Sequence, residues 1–272
     1  MNIFYNEFMN ILGIDRVAFT IFGLEIYWYG IIISSAIVIA YILSFYLVKI
    51  RGHHDGFNFE ILVAILPLGI LFARLFSVLF DSGLSISDFF NFRSGGMSII
   101  GAIIGGLIGL IILKFVKKRS ILDSADLLVV VLILAQGIGR WGNFFNGEIY
   151  GAEILDPNLQ FFPFAVEIGG AFYEALFFYE FVLDILGFIG LFILYRKVKI
   201  RGVVTAGYLM YYGTIRTILE SRRNSKFILK LGSIPFSQMM SIIMIVAGVC
   251  LLVVVLVNYY KNKKGKGVNG VK

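Results

Sequence analysis

Residues 139–151 read GRWGNFFNGEIYG and follow directly on the apolar run DLLVVVLILAQGI. Arg140, Asn143, Asn146 and Glu148 therefore sit at the end of a segment that otherwise avoids polar side chains. A guanidinium is planar, permanently charged and able to grip a phosphate through two parallel N–H groups. Asparagine amides offer both donors and acceptors to ester and hydroxyl oxygens. Arg140 and Asn143 share a helical face at i, i+3. Gly139, Gly142, Gly147 and Gly151 permit tight turns and close approach of a ligand. Together these residues have the chemistry to hold an anionic phospholipid head group.

A second constellation repeats the theme. Arg216 and Glu220 stand i, i+4 on one helix, and Tyr212 lies one turn earlier on the same face. An intrahelical ion pair in water is worth only about 0.2–0.5 kcal/mol. That is a weak reason to bring two charges near a membrane. A second phosphate-binding arginine, positioned by its glutamate, accounts for them better. Tyr29, in the stretch YWYG, lies near a helix end. Tyr27 and Trp28 beside it also suit an aromatic belt at a membrane interface.

These residues need a scaffold, and composition says which kind. The chain has 272 residues, 59% of them hydrophobic, with mean hydropathy +0.89. Soluble domains are about 45–50% apolar. The excess fits a bilayer, where about 20 apolar residues span the core. Runs of that kind cover 27–48, 58–80, 97–116, 126–145, 172–195, 203–220 and 237–259. The expected fold is an all-α polytopic membrane protein with about seven transmembrane helices in a single integral membrane domain, 1–272. Within it, 1–26 reads as an outer interfacial segment, 146–171 as an outer loop and 260–272 as a basic inner tail. The opening residues lack a basic n-region and carry Glu7, unlike a cleaved signal peptide.

Charge supports an orientation. Lys49, Arg51, Lys117, Lys118, Arg119, Arg196, Lys197, Lys199, Arg201 and the lysines of the tail fall on one side if the spans alternate. Loop 146–171 has acidic residues and no Lys or Arg. The positive-inside rule then gives N-out and C-in. The segment SRRNSKFILK, 221–230, is basic yet should face outward, so its charges are expected to have another task there, such as binding lipid phosphates.

Ionisable residues inside spans are costly and face a bundle interior or a wet cavity. They are Arg74, Arg140, Glu148, Glu174, Glu180, Asp184, Arg216 and Glu220. Arg74 and Asp184 stand alone in their segments and read as helix staples. The glycine pattern of GGMSIIGAIIGGLIGL, 95–110, reads as a close helix–helix interface. Cys250 is the sole cysteine and the two histidines are adjacent in a hydrophilic loop, so neither a disulfide framework nor metal-ligand spacing is present. No cofactor, no metal and no nucleic-acid partner is expected.

The stretch 139–151 also resembles the signature of the prolipoprotein diacylglyceryl transferases, G-R-x-G-N-F-x-N-x-E-x-x-G, and matches it throughout. YWYG (27–30), FARLFSVLF (72–80), GGMSIIGAIIGG (95–106), FYEFVLDILGF (178–188), YGTIRTILESRR (212–223) and SQMMSI (237–242) are similar to further family segments in the same order. The resemblance implies transfer of a diacylglyceryl group from phosphatidylglycerol to the thiol of a lipobox cysteine in a prolipoprotein, with glycerol phosphate leaving. It implies a bacterial cell membrane as the setting. Arg140 and Arg216 are then expected to stabilise the leaving phosphate, with Glu148 as base or arginine-positioner. Tyr29, Asn143, Asn146, Gly151, Tyr212 and Glu220 are expected to bind substrate.

Two departures stand out. Ile100 occupies the position where the family usually has a histidine, and Gly101-Ala102 replaces the Gly-Gly that follows. A His-Pro pair before the Tyr-Glu segment is also missing. These departures keep open a weakly active relative that binds lipid or precursor. A lipid or small-molecule transporter is the other alternative.

Overall fold

A computed structural model describes residues 16–80, 83–91, 96–228, 230–231 and 234–268. Glu7, the start of the 1–26 segment and the end of the tail lie outside the described residues. Among the described residues seven long helices dominate: α1 (Trp28–Arg51), α2 (Phe57–Phe80), α3 (Ile99–Val116), α4 (Ile121–Phe145), α5 (Leu176–Lys197), α6 (Val203–Glu220) and α7 (Phe236–Val268). Among the described residues, six are long and apolar enough to cross a membrane; α6 is the exception. Its shortfall has a local cause, since it carries Tyr208, Tyr212, Arg216 and Glu220.

The span expected at 172–195 starts later than its composition suggests. Residues before Leu176 instead form a hairpin, β3 (Ala165–Ile168) with β4 (Ala171–Glu174), turned by Gly169 and Gly170 at φ +61° and +81°. Two adjacent positive φ angles define the turn that matches strand twist, and Gly-Gly supplies them without a Cβ penalty. A second hairpin pairs β1 (Val17–Ile21) with β2 (Leu24–Tyr27). The short strands β5 (Lys230–Leu231) and β6 (Ile234–Pro235) form a third.

The helices form two compact units, Leu43–Leu128 and the rest of the chain. In the first, α2 and α3 pack backbone to backbone. A Cβ on Gly101 or Gly105 would collide with the carbonyl of Phe72 or Leu68, and one on Gly109 would lie 2.6 Å from the Ala64 carbonyl. The four-residue spacing of these glycines is the tight interface expected from 95–110, and close van der Waals packing is what holds helices in lipid. Arg119 closes the polar end of this unit with 2.7 and 3.0 Å bonds to Glu60, which hold its guanidinium above its ordinary range.

In the second unit, Leu176, Ile215 and Leu219 make a core between α5 and α6, with Tyr179, Leu183 and Tyr211 packed around it. The Tyr211 hydroxyl donates to the Leu183 carbonyl at 2.7 Å. Gly213 and Gly248 let α7 approach α6, each with a carbonyl within 3 Å of where a Cβ would stand.

Candidate functional site

The end of α4 shows why the glycine and asparagine spacing in 139–151 is needed. The Glu148 N–H donates to the Asn143 carbonyl at 3.0 Å, and the Gly147 N–H donates to the Phe144 carbonyl at 2.9 Å. This paired closure is a Schellman cap, which requires a left-handed residue at the position of Gly147. Gly147 adopts φ +61°. Ile149 follows at φ +62°, a costly conformation for a β-branched side chain. The cap turns the chain sharply out of the helix and leaves Arg140 and Asn143 on its last turns.

Two further glycines receive side chains rather than an open space for ligand. A Cβ on Gly142 would lie 2.8 Å from the Tyr29 ring, and one on Gly139 would lie 3.2 Å from Ile33. Tyr29 and Ile33, one turn apart on α1, are thereby docked on α4. Trp28 stacks on Phe145 with centroids 5.3 Å apart. Gly151 is buried, and a Cβ there would stand 2.7 Å from Glu174.

Arg140 is the centre of a cluster drawn from α4, α5 and α6. Its Nη1 lies 2.8 Å from Glu180 Oε2, outside hydrogen-bond alignment. Its Nη2 donates to the Tyr212 hydroxyl at 3.0 Å, and its Nε donates to Asp184 at 3.5 Å. The other oxygen of Glu180 accepts from Arg216 at 2.7 Å. Arg216 also donates to Glu220 at 3.3 Å. Arg223, just past α6, lies 3.5 Å from Glu180 and 3.6 Å from Glu220. Tyr208 stacks on Tyr212 with rings 11° from parallel and donates to Gln136 at 3.1 Å. Gly137 lets α5 come close, since a Cβ would be 3.1 Å from Asp184.

Three guanidiniums thus face three carboxylates. The arrangement is layered. The side chains of Glu180, Asp184 and Glu220 are 1–2% exposed, whereas Arg140 and Arg216 retain 13% and 14%. The carboxylates are the more deeply buried set, and Arg223, at 9%, is intermediate between them and the other two cations. Burial and the charge of Arg216 push the Arg223 guanidinium below its ordinary value, while Glu180 and Glu220 act the other way.

Tyr212, Arg216 and Glu220 share one face of α6, as their spacing suggests; the structure adds Arg140 to them, and Tyr29 is docked two residues along α4. Glu148 takes a different partner, accepting from the Asn146 side chain at 3.0 Å, while Arg16 donates to the Asn146 carbonyl at 3.1 Å. Asn143 is buried. Asp184, read as an isolated staple, is a partner of Arg140. Glu180, one of the costly intramembrane charges, and Arg223, in the basic segment 221–230, join the same cluster. Their signal is the spacing Glu180–Asp184 (i, i+4) and Glu220–Arg223 (i, i+3), which puts each pair on one helical face.

The basic segment 221–230 is also accounted for in part. Arg223 enters the cluster, and Arg222 pairs with Glu174 at 2.7 Å. The segment is laid against the signature turn through a bridge between Gly151 and Arg223 and a 3.1 Å bond from the Asn224 N–H to the Tyr150 carbonyl. Burial raises the Tyr150 phenol above its ordinary range.

Fold and site together define a polytopic membrane protein with a buried cluster of arginines and carboxylates at the end of its helices. The chain belongs to the prolipoprotein diacylglyceryl transferase family, whose model matches residues 16–254. It is 35% identical over 241 residues to the phosphatidylglycerol–prolipoprotein diacylglyceryl transferase of Finegoldia magna, covering 87% of this chain and 94% of that protein. The protein of the same name from Clostridium novyi is 36% identical over 88% of this chain and 95% of its own length. That from Clostridioides difficile is 32% identical over 93% and 97%.

Proposed function

We propose that this protein is a membrane transferase that moves a diacylglyceryl group from phosphatidylglycerol to the lipobox cysteine thiol of a prolipoprotein. Membership of the family and the shared name of its relatives support the activity and both substrates. The site of action is the bacterial plasma membrane, with the N-terminus out, the C-terminus in and the spans acting as one membrane domain. The observation that carries the reading at the level of residues is the layering of charge, with Arg140 and Arg216 partly exposed and their carboxylate partners buried.

The reaction forms a carbon–sulfur bond and breaks the carbon–oxygen bond between the diacylglyceryl carbon and the phosphate. The bonding pair stays with the phosphate oxygen, and glycerol phosphate leaves. Negative charge on that phosphate grows through the step. Fixed guanidiniums aimed at it stabilise the transition state more than the ground state. Arg140 and Arg216 take this role. Glu180 holds both from behind, and Glu220 and Tyr212 set their angles. A free thiol ionises near pH 8.5, so a base and a nearby cation both assist attack. Glu148 is the candidate base, oriented by Asn146. Asn143, Asn146 and the backbone at Gly151 orient the glycerol head group, with Tyr29 beside them.

Replacing Arg140 by alanine tests the assignment. Transfer of labelled diacylglycerol to a lipobox peptide in detergent should fall by at least about 10²-fold, the usual cost of removing one preorganised donor to a developing anion. Activity near wild type would make the arginine structural. Ile100 at the usual histidine position favours a second reading, a weakened relative that binds precursor without modifying it. The same assay on the unaltered chain separates the two, since peptide binding without label transfer would favour the second.

A further inference from the structure

The hairpin β1–β2 has two chemically different faces. Its register pairs Phe19 with Ile26 and Ile21 with Leu24, which places these four on one side; Thr20 pairs with Glu25 on the other. The carboxylate is kept on that polar side by a 2.7 Å bond from the Tyr27 hydroxyl. The apolar side has little protein over it. Phe19, Ile21 and Leu24 are 45–48% exposed, and Phe22 at the tip is fully exposed. Phe22 and Gly23 adopt φ +49° and +77°, so the turn presents a phenylalanine in the left-handed region where glycine or asparagine is the usual choice.

We infer that this hairpin is an interfacial membrane anchor, its apolar face and Phe22 tip seated among the lipids of the leaflet from which α1 departs. What selects lipid as the occupant is continuity with a spanning segment. Tyr27 ends β2 and Trp28 opens α1, a candidate span, with no linker between them. Tyr27, Trp28 and Tyr29 are all exposed there, as an aromatic belt at the head-group level requires. A four-residue strand reaches about 14 Å. The tip therefore stays within reach of the interface when the hairpin lies along it, and the polar side of Thr20 and Glu25 then faces water.

The anchor is tied to the site already described. The Trp28 N–H donates to the Arg16 carbonyl at 3.0 Å, and Arg16 Nη2 donates to the Asn146 carbonyl at 3.1 Å. Trp28 stacks on Phe145 at the end of α4. The base of the hairpin is thus fastened to the turn that carries Asn146 and Glu148, so seating the tip in lipid sets the depth of that turn.

Spin labels test the anchor independently of transfer activity. Single cysteines at Phe22, Leu24, Thr20 and Glu25, in a Cys250→Ser background, are labelled and the full chain is reconstituted in phosphatidylglycerol–phosphatidylcholine vesicles. Labels at 22 and 24 should relax with oxygen and resist a water-soluble nickel reagent, and labels at 20 and 25 should behave oppositely. Preferential access of the nickel reagent at 22 and 24 would place the hairpin in water and overturn the proposal. Protection of 22 and 24 from both reagents would show that protein covers this face, a second copy or a bound peptide, and would overturn it equally. Phe22→Asn, which suits the left-handed turn but removes the wedge, gives a second reading. Bromolipid quenching of the native tryptophans should change about twofold if Trp28 shifts in depth, and an unchanged value would count against the coupling.

Discussion

Two buried arginine sites in this chain are solved in opposite ways. Arg74 on α2 is fully buried and donates to the backbone carbonyls of Phe89, Gly96, Asp88 and Asn91, the first two at 3.2 and 2.9 Å. Arg140 and Arg216 are paired with side-chain carboxylates and keep part of their surface open. Carbonyls carry only partial charge, and here they belong to a loop whose conformation the arginine itself fixes. Such a site is complete as it stands. Carboxylates match the charge in full, and two arginines share one of them, Glu180, one at each of its oxygens. The difference separates an arginine that fixes a loop from arginines that join helices, and it is the latter pair that the proposed function assigns to the phosphate.

The strongest way to break the comparison is at Arg74. Arg74→Met keeps the length and leaves four carbonyls, one of them on the exposed Asn91, without their donor, so thermal unfolding in detergent should show a loss of about 3 kcal/mol, since each orphaned polar group costs about 1–3 kcal/mol and several regain water. Transfer per folded molecule should stay close to wild type. A variant as stable as wild type but inactive would make Arg74 part of the site.

Glu180→Gln sharpens the other half. It removes the charge shared by Arg140 and Arg216, and breaking a buried ion pair typically costs about 3 kcal/mol. Both stability and transfer should fall, unlike the outcome at Arg74. Arg222→Ala should be milder. Its side chain is 63% exposed, and exposed pairs are worth about 0–1 kcal/mol, so melting should barely move.

The smallest effect concerns the loop that Arg74 organises. The Asp88 carboxylate accepts from the Ser85 N–H and hydroxyl, both at 2.9 Å, and these bonds hold it below its ordinary value of 3.8. Its pKa is therefore depressed on folding, so its stabilisation is present above about pH 4 and fades as pH falls through the folded value. Asp88→Asn should remove that acid-side dependence while changing melting at neutral pH only slightly. A mutant whose acid profile matches wild type would assign the dependence elsewhere.

Much was legible in advance because bilayer physics leaves few options. Unbroken apolar runs between charged loops must be helices in lipid. The ends of α2, α3, α4 and α6 came within a few residues of expectation, and the Tyr212–Arg216–Glu220 face follows from the helical period alone. The hairpins β1–β2 and β3–β4 are hidden from composition, although Phe-Gly and Gly-Gly at their tips carry the signal. Their strands are short and lie against apolar runs, so composition absorbed them into the segments on either side.

The sequence by itself determined that this chain enters a membrane, where its helices run, and that Arg140 and Arg216 carry charge at unusual depth. Periodicity and charge are local quantities, and a few residues suffice to express them. Only the tertiary structure decided that Glu180 joins the two arginines, that Asp184 and Arg223 belong with them, and that Glu148 turns instead to Asn146. The pairings of the arginines with Glu180 and Asp184 join residues 36 to 44 positions apart, from different helices or the turn after one. They depend on glycines such as Gly137 that set how closely the helices meet, and distance between helices is not encoded in any single stretch of chain.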